Sequence, residues 1–314
     1  MKEKILVTAA DLAPAALALL TDFEVVFAGK TPSASDVTAL CQQHNPVAII
    51  VRYGRIDAPQ MEAANSNGTR ALKVISKHGS GIDTIDSAAA KERGIAVVAA
   101  TAVNADAVAE HSLALLLAAA KSVVGLNERM HAGHWDKSTH KSLELRYKTV
   151  GLVGLGAIGL RFAMLCKSLG MRVLGHDPFA NLERCAAAGV EVAALETVLR
   201  QADVLSLHCP LTPENKGFIN SQTLEQCKRG VIFINTARGG LVDEAAMLAA
   251  VQSGQVGTAA LDSFAVEPFT APHPFQHQAG FILSPHIGGV TSDAYVNMGV
   301  AAAQNVLNCL KLAT

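Results

Sequence analysis

The 314-residue sequence has few aromatic residues, no excess of charge and no clustered cysteines. Aromatic residues make up only 4% of the chain, which disfavours a stacking surface for single-stranded nucleic acid. Lysine and arginine number 26 against 27 aspartates and glutamates, so no net charge attracts nucleic acid or an anionic membrane. We therefore expect neither nucleic acid nor a membrane as a partner.

Long apolar runs are also missing. The longest strongly apolar stretch, residues 113–120, is far shorter than the roughly 20 residues that cross a bilayer. Asp11 interrupts the apolar start of the chain, which disfavours a secretory signal. The six cysteines show no CxxC spacing, so we expect reduced core thiols, no metal site and a cytoplasmic protein.

Half of the residues are hydrophobic, and the length suggests two domains of roughly 150 residues each. Apolar β-branched runs alternate with alanine-rich or amphipathic stretches, which is typical of a parallel sheet covered on both faces. The pattern predicts one long helix from Asn104 to Met130 and a last helix over residues 292–310. The predicted strands cover residues 5–8, 24–27, 48–51, 72–76, 95–98, 150–154, 172–175, 204–209, 231–236, 258–262 and 281–284, with earlier helices over 12–20, 35–44 and 84–93.

A glycine motif, GLGAIG, follows the strand that restarts the alternation and opens a helix. In that context Gly154 permits a tight turn, Gly156 lets the backbone approach a pyrophosphate, and Gly159 allows close packing of helix and strand. The amides of Ala157 and Ile158 lie in the first helical turn, where they would face the phosphates. The motif predicts a dinucleotide-binding turn.

An acidic residue, Asp177, follows Gly159 by 18 residues at the end of the next predicted strand. A carboxylate there accepts the hydroxyls of an adenine ribose and repels a 2′-phosphate, so we expect NAD rather than NADP. The alternative is an ordinary glycine-rich turn with an acidic residue nearby by chance.

Polar residues follow three successive apolar strands after the glycine turn: Arg238, Glu267 and His286. Ligands of an open parallel sheet bind outside the carboxyl ends of its strands, so we expect these side chains to converge beside the cofactor. Arginine can bind a carboxylate through two hydrogen bonds, and histidine transfers protons near neutral pH. Glutamate bound to the other ring nitrogen fixes the imidazole, while Asp262 could support the nicotinamide or modulate the histidine.

Each of these residues, taken alone, also has an ordinary structural interpretation. Arg238 could form a surface ion pair, His286 could be a turn residue, and Glu267 could lie in a solvated loop. Their joint occurrence with a dinucleotide turn favours the functional interpretation.

With these residues in place, the sequence resembles the D-2-hydroxyacid dehydrogenase family, with phosphoglycerate dehydrogenases as the nearest branch. The resemblance covers roughly residues 45–300. It is carried, in order, by HGSGIDTID (78–86), NADAVAEHSLALLL (104–117), GLVGLGAIG (151–159), HCPLTPEN (208–215), NTARGGLVDE (235–244), ALDSFAVEP (260–268) and SPHIGG (284–289).

The resemblance implies an α/β architecture of two doubly wound parallel-sheet domains. A Rossmann-type NAD domain, residues 99–286, would be inserted into a flavodoxin-like substrate domain formed by residues 1–98 and 287–314. The long helix after residue 104 resembles the element through which family members form homodimers.

The resemblance also implies roles for individual residues. Arg238, Glu267 and His286 would be the catalytic residues, and the backbone at Ser80 and Gly81 would bind the substrate carboxylate. The family's cofactor-lining positions correspond to Cys209, Thr236, Ala237, Asp262 and Gly289.

The implied reaction is NAD-dependent interconversion of a D-2-hydroxy acid and its 2-oxo acid. Cationic residues after the third and fourth predicted strands favour an acidic substrate such as D-3-phosphoglycerate, with Arg52 as a contact. The roles of Arg55, Lys77 and His78 are left open. Glyoxylate or hydroxypyruvate reduction is the alternative, and an NAD(H)-sensing binding protein is an alternative of another class.

Two departures from relatives refine this expectation. Glu267 replaces the glutamine of the formate dehydrogenase branch, which disfavours formate oxidation as the reaction. The chain ends 28 residues after His286, so we expect it to lack the regulatory C-terminal domain of some phosphoglycerate dehydrogenases.

Overall fold

A computed structural model describes residues 2–66, 72–269 and 272–312. Over these ranges the chain alternates between short strands and helices. The strands are β1 (Lys4–Val7), β2 (Glu24–Phe27), β3 (Ala48–Val51), β4 (Val74–Lys77), β5 (Ala96–Ala99), β6 (Thr149–Val153), β7 (Arg172–His176), β8 (Glu191–Val192), β9 (Val204–Leu207), β10 (Val231–Asn235), β11 (Val256–Leu261) and β12 (Phe281–Leu283).

The helices occupy the segments between the strands. They are α1 (Pro14–Leu17), α2 (Ala34–His44), α3 (Ala58–Ala63), α4 (Ser87–Glu92), α5 (Ala105–Lys121), α6 (Val123–His131), α7 (Ala157–Ser168), α8 (Leu182–Ala187), α9 (Leu195–Gln201), α10 (Ser221–Glu225), α11 (Glu244–Gln252) and α12 (Ser292–Leu312), with a 3₁₀ turn at Gly239–Leu241.

The chain forms two compact units, and the sequence of the second lies between the two segments of the first. The first unit comprises Met1–Asn104 and Val290–Thr314, and the second comprises Ala105–Gly289. These limits lie a few residues after those expected from the sequence, at 98 and 286.

The first unit contains a five-stranded parallel sheet in the order β2-β1-β3-β4-β5. Its central strands β1, β3 and β4 are buried on both faces, since one apolar cluster joins the sheet to α1 and α12 and another joins it to α2, α3 and α4. The hydroxyl of Ser76 in β4 donates to the carbonyl oxygen of Ala302 in α12 at 3.0 Å, which ties the last helix to the sheet. The strand order is that of flavodoxin-like folds.

The second unit contains a seven-stranded parallel sheet in the order β12-β11-β10-β9-β6-β7-β8. Counted from β6, this order is that of a Rossmann fold extended by one strand. One core cluster packs α5 and α7 on the sheet, and the other packs α9, α10 and α11. The predicted α/β class with two doubly wound parallel sheets is thus confirmed.

The predicted single helix from Asn104 to Met130 is wrong. The helix breaks at Ser122, whose φ of 52° is left-handed, and α5 and α6 are bent by 60° relative to each other. Ala119 and Ala120 are still buried at the end of α5, whereas α6 contains no buried residue. The apolar core therefore ends where the helix turns.

No single helix in the described ranges has both the length and the apolar composition needed to span a membrane. The bent α5–α6 pair reaches that length and composition only when its two helices are counted together. Within the same residues, no cluster of three or more histidine, cysteine or acidic side chains could bind a metal ion.

Candidate active site

The glycine turn between β6 and α7 needs glycine for two different reasons. Gly154 has a φ of 98°, and a Cβ there would lie 2.6 Å from the backbone nitrogen of Cys209. A Cβ on Gly159 would lie 2.2 Å from the carbonyl oxygen of Gly154, so the helix approaches the turn too closely for any side chain. The turn is therefore tight and pressed against the segment that follows β9.

The start of α7 is open, in contrast to the crowded turn. A Cβ on Gly156 would meet nothing within 4 Å, and this N-cap residue offers no side chain to the first amides of the helix. Helix N-termini with uncapped amides bind anions such as phosphate. The amides of Ala157 and Ile158 belong to this first turn, so the geometry fits the pyrophosphate of a dinucleotide.

Asp177 lies just after β7 and is fixed by the glycine turn. One carboxylate oxygen accepts from the amide of Leu155 at 2.8 Å, and the other accepts from the amide of Phe179 at 2.8 Å. Each carboxylate oxygen has a second lone pair and can accept another hydrogen bond. The carboxylate can therefore still accept ribose hydroxyls, which fits NAD.

Cys209 borders the same turn. Burial, aided by the charge of Asp177, raises the pKa of the Cys209 thiol to about 11, so the thiol is neutral near pH 7. Its predecessor His208 is also kept neutral, because burial lowers the pKa of the imidazole to about 3. The wall beside the glycine turn thus carries no charge of its own at these two residues.

The structure brings together two of the three predicted catalytic residues through a direct hydrogen bond. Nδ1 of His286 lies 2.6 Å from Oε2 of Glu267. The other carboxylate oxygen accepts from the amide of Phe264 at 2.8 Å, which holds the glutamate in place. The two side chains are 46% and 33% exposed, so a ligand can reach the imidazole.

The electrostatics of this pair favour a charged imidazole. The hydrogen bond that His286 donates to Glu267 raises the pKa of the imidazole above its ordinary value, against partial burial and the positive charge of Arg238. Burial opposes ionisation of Glu267, but the bonds from His286 and from the Phe264 amide outweigh it and lower the pKa of that carboxyl. Both shifts therefore favour the ion-paired form of His286 and Glu267.

Arg238 follows β10, the strand that neighbours β11 in the sheet. Its carbonyl oxygen accepts from the side-chain amide of Asn235 at 2.9 Å, and the Ala237 amide donates to the Asn235 oxygen at 3.0 Å. The buried asparagine therefore shapes the turn that presents Arg238. The hydroxyl of Thr236, in the same turn, hydrogen-bonds that of Ser112 in α5 at 2.8 Å.

The three predicted catalytic residues follow the carboxyl ends of neighbouring strands. β10, β11 and β12 are adjacent and parallel, and Arg238, Glu267 and His286 each follow the carboxyl end of one of them. The Arg238 and Glu267 segments also approach closely, since a Cβ on Gly239 would lie 1.9 Å from the carbonyl carbon of Phe264.

Asp262 organises the segment that follows His286. Its carboxylate accepts from the amide of Ile287 at 2.9 Å and from the amide of Gly288 at 2.8 Å. The Ser284 hydroxyl donates to it at 2.6 Å. Gly289, an expected cofactor-lining residue, comes directly after this anchored turn.

Asp262 stays ionised although only 1% of its surface is exposed. Burial opposes its charge, but hydrogen bonds from His111, Ser284 and two backbone amides outweigh that effect and lower the pKa of the carboxyl. Its negative charge in turn contributes to raising the pKa of His286.

The remaining predicted site residues belong to the first unit. The Ser80 hydroxyl donates to the side-chain oxygen of Asn104 at 3.1 Å, and Gly81 is half-buried beside it in the chain. Burial and the nearby positive charges of Arg52 and Lys77 lower the pKa of His78 to about 4, so this imidazole is neutral.

The two arginines after β3 are both ion-paired. Arg52 binds Asp11 and lies over the ring of Tyr295, with 4.6 Å between the guanidinium carbon and the ring centre. Arg55 binds Asp57 at 3.0 Å.

Comparison with known proteins decides the family. A family model described as the NAD-binding domain of D-isomer specific 2-hydroxyacid dehydrogenases matches residues 113–288, more than half of the chain. The chain belongs to this family. The predicted family and the predicted cofactor, NAD, are thus confirmed.

Three similar proteins show how this chain relates to other members of the family. The D-3-phosphoglycerate dehydrogenase of Archaeoglobus fulgidus is 40% identical over 265 residues, covering 84% of this chain and 49% of that one. The TT0316 protein of Thermus thermophilus is 34% identical with a TM-score of 0.86, covering 98% and 97% of the two chains. A glyoxylate reductase from Paecilomyes thermophila is 26% identical with a TM-score of 0.88, covering 99% and 96%. The chain spans about half the length of the curated relatives it matches.

Sequence reasoning missed several residues that shape this family member's site. His111 and Ser284 bind other site segments, and Asn235 shapes the turn before Arg238. His111 lies inside a block that carries the family resemblance, and Ser284 and Asn235 each open one. Their positions in those blocks were the available signal. The partners of His111 and Ser284 lie in other blocks, so the pattern of a single block could not reveal those contacts.

Proposed function

We propose that the protein is an NAD-dependent oxidoreductase that interconverts a D-2-hydroxy acid and its 2-oxo acid. The observation that carries this proposal is the 2.6 Å contact between His286 and Glu267. The contact lies beyond the carboxyl ends of β11 and β12, and Arg238 follows β10, which pairs with β11. All three residues belong to the same unit as the glycine turn. An imidazole with a raised pKa beside an arginine suits proton transfer to a substrate that carries a carboxylate.

We assign the cofactor to the glycine turn. The amides of Gly156, Ala157 and Ile158 would hold the pyrophosphate of NAD, and Asp177 would hold the adenine ribose. Thr236, Ala237, Cys209, Asp262 and Gly289 would line the rest of the cofactor. Bound NADH supplies the hydride for C2 of the 2-oxo acid.

The side chains of the protein perform the other steps. Arg238 binds the substrate carboxylate through its guanidinium N–H groups and polarises the keto oxygen. Since Nδ1 of His286 is bound to Glu267, Nε2 is the nitrogen that donates a proton to the oxygen on C2. The carboxylate of Glu267 stabilises the imidazolium before transfer. In the oxidative direction the neutral imidazole accepts the hydroxyl proton.

Two observations bear on the substrate. The Archaeoglobus fulgidus relative is named a D-3-phosphoglycerate dehydrogenase, which favours D-3-phosphoglycerate or a similar acidic substrate bound with the help of Arg52. The pairing of Arg52 with Asp11 and of Arg55 with Asp57 reduces the positive charge that a distal phosphate would meet. This second observation favours the alternative substrates, glyoxylate and hydroxypyruvate.

Other expectations from the sequence stay predictions. These are substrate binding by the backbone at Ser80 and Gly81, the assignment of residues 1–98 and 287–314 to a substrate domain, homodimer formation and a cytoplasmic location.

The test is steady-state oxidation of NADH with glyoxylate, hydroxypyruvate, phosphohydroxypyruvate and longer 2-oxo acids. Turnover with any of them supports the proposed reaction, and the ranking of kcat/KM values identifies the substrate class. NADH binding without turnover on the whole panel would overturn the proposal and favour an NAD(H)-sensing protein. The same panel with NADPH tests the cofactor assignment.

A further inference from the structure

The segment that carries Glu267 is held at two consecutive backbone amides. The amide of Phe264 donates to Oε1 of Glu267 at 2.8 Å, and the amide of Ala265 donates to Oε1 of Glu244 at 2.9 Å. The same peptide packs directly against Gly239, where no Cβ fits. A second carboxylate, Glu244 at the start of α11, therefore binds the segment from which Glu267 reaches His286.

Glu244 is itself fixed from its other side. Its Oε2 lies 3.3 Å from Nε2 of His273, and the two side chains are 26% and 13% exposed. The imidazole of His273 stacks on Phe269 with 4.3 Å between ring centres and meets Phe275 edge-on at 4.7 Å. The aromatic rings thus hold the histidine, and the histidine orients the carboxylate.

The carboxylate of Glu244 is not needed to cap its own helix. Asp243 is the N-cap of α11, and its side chain accepts from the amides of Ala245 and Ala246 at 3.0 and 3.1 Å. Glu244 reaches instead across to Ala265, on a segment 21 residues further along the chain. Its contact serves the neighbouring segment rather than the helix.

We propose that Glu244 is a positioning residue for Glu267: it binds the Ala265 amide and so keeps the glutamate in hydrogen-bond reach of His286. The inference rests on the proposed function, in which that pair transfers the proton. Loss of the Glu244 carboxylate leaves the Ala265 amide without this acceptor and loosens the segment. Glu267 then spends less time bound to the imidazole.

The effect on His286 is specific because Glu244 does not act on it directly. The groups that set the pKa of His286 are Glu267, Asp262 and Arg238. A change in the pKa of His286 on replacing Glu244 must therefore be transmitted through the position of Glu267. Loss of that contact lowers the pKa of His286 toward its ordinary value.

The experiment compares Glu244→Ala, Glu244→Asp and Glu244→Gln with the parent chain, with Asp243→Ala as matched control. Asp243→Ala destabilises the same helix start without touching Ala265. For each variant we measure kcat and KM for the 2-oxo acid selected by the panel, the pH profile, the NADH dissociation constant and the melting temperature. The pKa of His286 is measured by NMR titration, with its signals assigned from a His286→Gln variant.

We expect Glu244→Ala to lower kcat about tenfold or more, since misplacement by about 1 Å can cost roughly 10²-fold. The pKa of His286 should fall, while KM and NADH affinity change little. Glu244→Gln should restore both kcat and the pKa, because its side-chain oxygen can still accept from the Ala265 amide. Glu244→Asp is one methylene shorter and should behave like Glu244→Ala, which keeps the test available should the alanine variant not fold.

Two results would overturn the inference. One is a His286 pKa that stays at the parent value in both Glu244→Ala and Glu244→Asp. The other is an equal loss of kcat in Asp243→Ala, which would indicate a general effect of helix stability. Absence of turnover in the parent chain would contradict the proposed function alone, because the NMR titration still measures the coupling of Glu244 to His286.

Discussion

Replacing Gly239 by alanine tests how closely the Arg238 and Glu267 segments must approach. The new Cβ would lie 1.9 Å from the carbonyl carbon of Phe264 and 2.2 Å from its oxygen, both backbone atoms. Ordinary van der Waals contact begins at 3.4 Å, so the two segments must separate by about 1.5 Å. No side-chain rotation can relieve the clash, because the atoms that the new Cβ would meet belong to the main chain.

The separation should affect catalysis more than cofactor binding. Arg238 precedes the substituted residue, and the Phe264 amide holds Glu267, so the variant moves the arginine away from the glutamate–histidine pair. Because a displacement of about 1 Å can cost roughly 10²-fold in rate, we expect kcat/KM for the 2-oxo acid to fall about 100-fold. Overpacking of this kind also lowers the free energy of unfolding by roughly 1–3 kcal/mol.

The assay is NADH oxidation monitored with the preferred 2-oxo acid, together with NADH binding and thermal unfolding. Gly125→Ala is the matched control, because a Cβ on this exposed residue of α6 meets nothing within 4 Å. It should leave kcat/KM unchanged and stabilise the helix by roughly 0.5–1 kcal/mol. Parent-level kcat/KM in folded Gly239→Ala would show that catalysis does not depend on this close approach of the two segments.

Three further predictions concern electrostatics. Glu267→Gln removes the main cause of the raised pKa of His286, so the reductive rate, which needs protonated imidazole, should begin to fall at lower pH than in the parent; an unmoved pH profile contradicts this. Asp11→Asn frees Arg52 from its ion pair and should raise kcat/KM for phosphohydroxypyruvate relative to glyoxylate, up to about tenfold or 1.4 kcal/mol; an unchanged ratio argues against Arg52 as a substrate contact. Asp177→Ser should weaken NADH binding and reduce the preference for NADH over NADPH, as measured by fluorescence titration. A preference for NADH equal to that of the parent would exclude binding of the adenine ribose by Asp177.

The fold could be predicted from the sequence where the signal is local. Short β-branched runs and the GLGAIG turn specify buried parallel strands and a tight strand–helix connection within a few residues of chain. The break at Ser122 could not be predicted in this way, because neither glycine nor proline stands at the break itself and the helical pattern continues beyond it. The bend coincides instead with the end of the buried residues after Ala120.

The chemical groups of the site could likewise be predicted from local signals, whereas their contacts could not. Arg238, Glu267 and His286 could be found because each follows the end of an apolar strand, and parallel strands end at one edge. The contacts that fix them could not, because Glu244 and Ala265 meet only through the packing of α11 beside the segment after β11. Sequence spacing identifies the chemical groups, and tertiary packing sets their distances.

Turnover and NADH binding should be measured together in His286→Gln. If His286 is the proton donor, kcat should fall by about 10²–10⁴-fold while the NADH dissociation constant stays within experimental error of the parent value. Parent-level turnover in this variant would show that the imidazole held by Glu267 does not perform the proton transfer.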